Sequence, residues 1–128
     1  MDRFSDHLGF QASVLGLRSR RNNILASNIA NAATPNFKAR DFDFARAAEK
    51  LDPTGPLTTT NKQHIPAARP VGMRDMQYRV PLNPSYDGNT VELAIEQMQF
   101  SENVMRYQTS LNFLNARING LRSAIRGE

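Results

Sequence analysis

The sequence predicts a mainly α fold: an N-terminal helix and a long C-terminal helix pair as a coiled-coil-like module, with an irregular, proline-rich middle that has room for a short β element. Three observations carry that expectation. All seven prolines, Pro35, Pro53, Pro56, Pro66, Pro70, Pro81 and Pro84, lie in one central segment, and proline breaks helix interiors. Phe100, Val104, Tyr107, Leu111, Leu114, Ile118, Leu121 and Ile125 follow one another at steps of four and three, the spacing of a heptad seam. The proline-free N-terminal segment has a helical apolar period of its own. The expected divisions are a helix over 1–31, loops over 32–86 and a helix over 87–128, together one elongated module. A chain of 128 residues leaves no room for a second domain of ordinary size.

In the first helix, Phe10, Val14, Leu17 and Ile24 form the seam, and Phe4, Leu8, Leu15, Leu25 and Ile29 flank it. Arg21 and Asn28 interrupt it. Polar residues on a seam lower stability while restricting register and partner, which suits an assembly helix. Gly9 and Gly16 each weaken the isolated helix by roughly 1 kcal/mol relative to alanine.

The middle shows no sustained period. Leu57 to Thr60 is tolerant of a strand but is crowded by Pro53, Pro56 and Pro66, which leaves Met76 to Val80 as the place for one short strand or hairpin. Beyond it, Asp87 and Gly88 make a turn, Asn89 is the expected N-cap, and Glu92 three residues later completes a capping-box-like pair. A helix from about Thr90 to Ile125 would be about 50 Å long. A second stripe of Val91, Ile95, Met98 and Met105 widens its apolar face. Such a rod cannot bury its seam on itself, so another helix is required.

Catalytic chemistry has little to work with. Cysteine is absent and the only histidines are His7 and His64, which excludes disulfides, thiolate zinc sites and cysteine nucleophiles. Both histidines read as surface residues. Glu92 and Glu96 are spaced i, i+4 without a nearby histidine, and Asp41 and Asp43 merely flank Phe42. No nucleotide-binding, hydrolase or zinc-protease motif occurs. The expectation is therefore no enzyme, with no catalytic, cofactor or metal site.

The net charge of +4 is spread along the chain. Arg18, Arg20 and Arg21 form a small basic cluster, so a small basic helical nucleic-acid-binding protein is the alternative reading. Within an assembly the same arginines would meet Glu96 or Glu102 of an adjacent subunit. No run approaches the ~18 apolar residues of a membrane span, and the N-terminus lacks the features of a cleaved secretory signal.

Two stretches are more specific. The first runs from Leu25 to Phe44 and contains Asn28, Asn31, Thr34, Pro35, Phe37 and Lys38; the second opens at Tyr78, passes Pro81 and Pro84, and reaches Asp87-Gly88-Asn89-Thr90-Val91. Together they resemble the bacterial flagellar rod and hook protein family. One departure is Asn36, where many members carry glycine; asparagine tolerates a left-handed backbone better than most residues. The resemblance implies a structural subunit of the proximal rod of the flagellar basal body, exported by the flagellar type III apparatus without a cleaved signal and resident in the periplasm. It further implies contacts with its own copies, the next rod protein FlgC, the adaptor FliE and the export gate, and no nucleic acid. The expected assembly interface is Val14, Leu17, Ile24, Asn28, Asn31, Thr34, Pro35 and Phe37 with Phe100, Val104, Tyr107, Leu111, Leu114, Ile118, Leu121 and Ile125.

Overall fold

The computed structural model describes residues 2–51 and 76–127. Expectations for the side chains of Phe4 and His7, for His64 and for the run from Leu57 to Thr60 lie outside what it describes. In order along the chain come α1 (Asp2–Ala30), β1 (Arg40–Asp41), α2 (Phe44–Glu49), β2 (Gln77–Tyr78) and α3 (Leu93–Arg126). The two long helices lie antiparallel: Asn31, just past α1, meets Asn89 ahead of α3, Asn28 meets Glu96, and Arg18 meets Asn103.

Proline and asparagine end α1 as the motif suggests. The amides of Asn31 and Ala32 turn back onto Ser27, Asn28 and Ile29, and Pro35 forbids continuation. Asn36 then takes φ 61°, the left-handed conformation that asparagine tolerates. Residues 36–39 run beside 87–90, with Asn36 N donating to Asp87 O (2.9 Å), Thr90 N to Phe37 O (3.0 Å) and Ala39 N to Thr90 Oγ1 (2.8 Å). On its other edge the same stretch pairs β1 with β2, antiparallel, Arg40 opposite Tyr78. The expected β element is present, but it is only two residues per strand.

The middle holds one element that periodicity did not reveal. Asp43 caps α2 by accepting from Arg46 N (3.2 Å), and this turn of helix brings Phe42 and Ala47 onto Leu17 to form a small apolar core with Ile24, Phe44, Ala48 and Leu51 around it. Leu15 and Leu25 are buried as well.

The start of α3 differs from the expectation. The helix begins at Leu93 with Glu92 in the cap position, and Glu92 makes no capping bond; its carboxylate accepts from Asn83 N instead (3.3 Å). Asn89 is no cap either. Its Oδ1 accepts from Val91 N (2.8 Å), an Asx turn that keeps the chain extended to Glu92. Its amide is engaged by the carbonyls that the end of α1 leaves over, a demand that a local capping box cannot outbid. Asp87 steadies the turn, its carboxylate held below the usual range by the Ser85 hydroxyl and then by Asn89 N.

The far end of α3 also departs from the heptad reading. Ile125 is 86% exposed, and Val104 and Ile118 are exposed too. With Asn103 at the level of Arg18, α3 outruns α1 by about two turns, so Ile125 has no opposite helix to cover it, whereas Val104 is turned out because Asn103 faces α1.

Gly88 has φ +72°, and a Cβ there would lie 2.7 Å from Asn36 Oδ1. We expect Gly88→Ala to lower unfolding free energy by about 1–2 kcal/mol through left-handed backbone strain. Asn36→Gly should change it by less than about 0.5 kcal/mol, because lost strain offsets added chain entropy. Urea unfolding followed by helical circular dichroism separates the two; an unchanged midpoint for Gly88→Ala would show that this turn is not held left-handed.

Candidate assembly interface

Three polar residues seven apart, Asn89, Glu96 and Asn103, are the most deeply placed side chains of the α3 arm, with 5%, 0% and 2% of their surfaces exposed. Seven-residue spacing puts Glu96 and Asn103 on one line of α3 facing α1, and Asn89 reaches the same helix from the extended segment ahead of α3. Each meets a different level of that helix. Asn89 Nδ2 lies 3.0, 2.9 and 3.0 Å from the carbonyl oxygens of Asn31, Ala32 and Thr34. Asn103 Nδ2 donates to Arg18 O and Asn22 Oδ1, both at 2.8 Å.

The middle rung carries charge. Asn28 Nδ2 donates to Glu96 Oε2 (3.1 Å) and to Arg40 O (2.7 Å), and Asn28 Oδ1 accepts from Arg40 N (3.2 Å). One asparagine thus joins α3, α1 and β1. Arg79 reaches in from beside β2: its Nε stands 2.9 Å from Glu96 Oε1, an ion pair whose N–H is not aligned as a hydrogen bond. Its Nη2 donates to Asp41 Oδ2 (2.8 Å) and Gln99 Oε1 (2.6 Å). Arg21 grips Asp41 through both Nε and Nη2, at 3.1 and 2.8 Å, and shares Gln99 (3.1 Å). The Asp41 bond raises the Arg21 pKa above its ordinary value, against the pull of burial. Two cations and two carboxylates therefore cancel inside a largely dry site. Burying such a set costs desolvation, so its value lies in specificity more than in net stability.

The expected interface residues divide into three groups. Leu17 and Asn28 are buried within the chain, and Val14, Ile24, Asn31, Phe37, Phe100, Tyr107, Leu111, Leu114 and Leu121 are half-buried. Thr34, Pro35, Val104, Ile118 and Ile125 are exposed. Much of the anticipated seam thus lies in the contact of α1 with α3, turned by one position from Val104 to Asn103. Hydrophobicity alone favours Val104, but the carbonyl of Arg18 and the side chain of Asn22 favour the amide of Asn103.

The arginines also find partners closer than expected. Glu96 is taken by Arg79 of the same chain and Arg21 by Asp41, so neither pairs as anticipated. Arg18 lies over the Phe44 ring, 4.5 Å from its centroid, and burial, then Arg106 and Arg21, lower its pKa. Asp41 and Asp43, on either side of Phe42, serve separate ends as arginine partner and helix cap. Arg79 and Gln99 were not singled out from sequence. Their signal is indirect: Glu96 and Asn103, a heptad apart on the inner face of α3, demand buried partners.

Removing one member of a buried pair strands the other, so Glu96→Ala should cost roughly 3 kcal/mol. With Arg79→Ala, a double-mutant cycle should return a coupling of about 1–3 kcal/mol. Chemical denaturation of the four proteins measures it; strict additivity would mean that the two side chains do not depend on each other.

Comparison with known proteins points to the same stretch. The model of the flagella basal body rod protein family matches residues 8–38, the span that contains Arg21, Asn28, Asn31 and Phe37. Similar full-length relatives are the flagellar basal body rod proteins FlgB of Cereibacter sphaeroides, 54% identical over 128 residues and covering all of both chains, and of Salmonella typhimurium, 43% identical over 135 residues and covering 99% of this chain and 98% of that one. The Escherichia coli FlgB is 42% identical over 133 residues, covering 98% of this chain and 96% of its own. With relatives this similar along their whole length, the chain belongs to the family of flagellar basal-body rod proteins.

Proposed function

We propose that this structural subunit of the basal-body rod occupies its proximal segment, where the expected partners are further copies of itself, FlgC, FliE and the flagellar export gate. The work of such a subunit is assembly, with no reaction to catalyse. The observation that carries the reading is end-to-end similarity to FlgB proteins, joined to a physical one: the helix pair buries a line of polar groups inside while leaving large apolar side chains on its outside. Exposed apolar surface of that kind marks a protein that packs against others. A periplasmic place in the rod and export without a cleaved signal complete the proposal. Weakly apolar helices broken by buried polar rungs suit a chain that must pass a narrow conduit unfolded and close afterwards.

Deleting the gene from its own bacterium should abolish swimming and leave basal bodies without a rod, and a plasmid copy should restore both. Leu25→Asp, which places a carboxylate at a fully buried apolar position, should fail to restore them, since an unpaired buried charge costs several kcal/mol. Purified basal bodies that keep a complete rod in the deletion strain would sink the proposal.

A further inference from the structure

A cleft of about 620 Å³ opens on the side of α1 turned away from α3. Ile24, Phe37, Met76 and Tyr78 give it an apolar lining, and Lys38 and Arg40 bring positive charge to it. Among the described residues that line it, none is acidic. Lys38 Nζ donates to Gly88 O (2.6 Å), while Arg40 stacks over the Tyr78 ring at 5.1 Å and donates to its hydroxyl (3.3 Å). These hydrogen-bond partners are neutral; the exposed Asp87 carboxylate attracts Lys38 from outside the lining, and Arg40 keeps the cleft cationic. Its complement is an apolar ridge that carries a carboxylate.

Such a ridge lies on α3. Met98 and Met105 are 63% and 72% exposed, and Glu102 stands between them at steps of four and three, which places all three on one face. Each methionine follows a rung of the polar ladder by two residues, Glu96 and Asn103, or about 200° round the helix. The methionines therefore stand on the side of α3 away from the ladder, while Glu102 and Met105 border Arg18 of α1 along the flank of the helix pair. The carboxylate of Glu102 is half exposed and pairs with Arg106 one turn on, an exposed contact that is readily exchanged.

We propose that the Met98–Glu102–Met105 ridge of one copy seats in the Ile24–Phe37–Tyr78 cleft of the next, with Glu102 directed to Lys38 and Arg40. This rests on the rod reading and names one contact by which it is built. Charge complementarity selects the occupant. Because cleft and ridge are different surfaces that share no residue, the contact is heterologous: it leaves a free ridge and a free cleft at every step and propagates instead of closing into a two-fold dimer.

The absence of native cysteine makes a disulfide test clean. In basal bodies carrying Tyr78→Cys together with Met105→Cys, oxidation should yield a ladder of covalent multiples of this subunit, and neither single variant should do so. Glu102→Lys should reduce the subunit retained in basal bodies by about tenfold or more, and adding Lys38→Glu with Arg40→Glu should restore it. Rods that contain the double-cysteine subunit yet give no multiples would overturn the cleft-and-ridge contact and leave the rod assignment standing. Retention of Glu102→Lys at the parent level would overturn it as well. Absence of the unmodified subunit from purified rods would overturn the rod assignment itself.

Discussion

Glu96 has no surface open to water, and a carboxylate in that position has to be matched before two helices can close over it. Its partners come from two directions. Asn28 approaches from α1 and Arg79 from the end of β2, so the helix pair and the β arm are not independent. Arg79 in turn meets Asp41, which Arg21 also holds. Pulling the arm away would leave charge stranded in a dry place, and sliding α3 along α1 would do the same. Polar contacts at a helix seam contribute little net stability, yet they penalise every wrong arrangement heavily. The register of this hairpin follows from that penalty.

The apolar core within the chain is small. Leu17, Phe42 and Ala47 centre a modest core, while Tyr86, Val80, Leu82, Phe113 and the two methionines of α3 face outward. A soluble monomer normally exposes single apolar residues without consequence. Here they are numerous and several share a helix face, an arrangement that spends its hydrophobic stabilisation between subunits instead of within one. Polar rungs inside and apolar ridges outside give such a chain a defined shape before its burial is complete.

That division suits a rod subunit. Internal matching of charge keeps Arg21, Arg79, Asp41 and Glu96 from seeking partners elsewhere, and it frees the outer faces to discriminate among neighbours by shape and by a few surface charges. Heterologous contacts between different surfaces extend a wall, whereas self-complementary ones would stop at a dimer.

The sequence by itself determined that both ends are helical, that prolines confine the loops to the middle, that a short β element sits near Tyr78, and that Asn28, Asn31 and Thr34 mark the end of the first helix. These are local properties, set by backbone restriction and by period along one strand of chain. Only the tertiary structure decided which face of α3 turns inward, because Asn103 and Val104 stand about 100° apart and hydrophobicity prefers the wrong one. Asn89 is a similar case: as a helix cap it is locally reasonable, but three carbonyls more than fifty residues away claim its amide. Arg79 carries no local sign of its role at all, since a guanidinium is buried only where carboxylates from distant elements converge to neutralise it, and that convergence exists only in the folded chain.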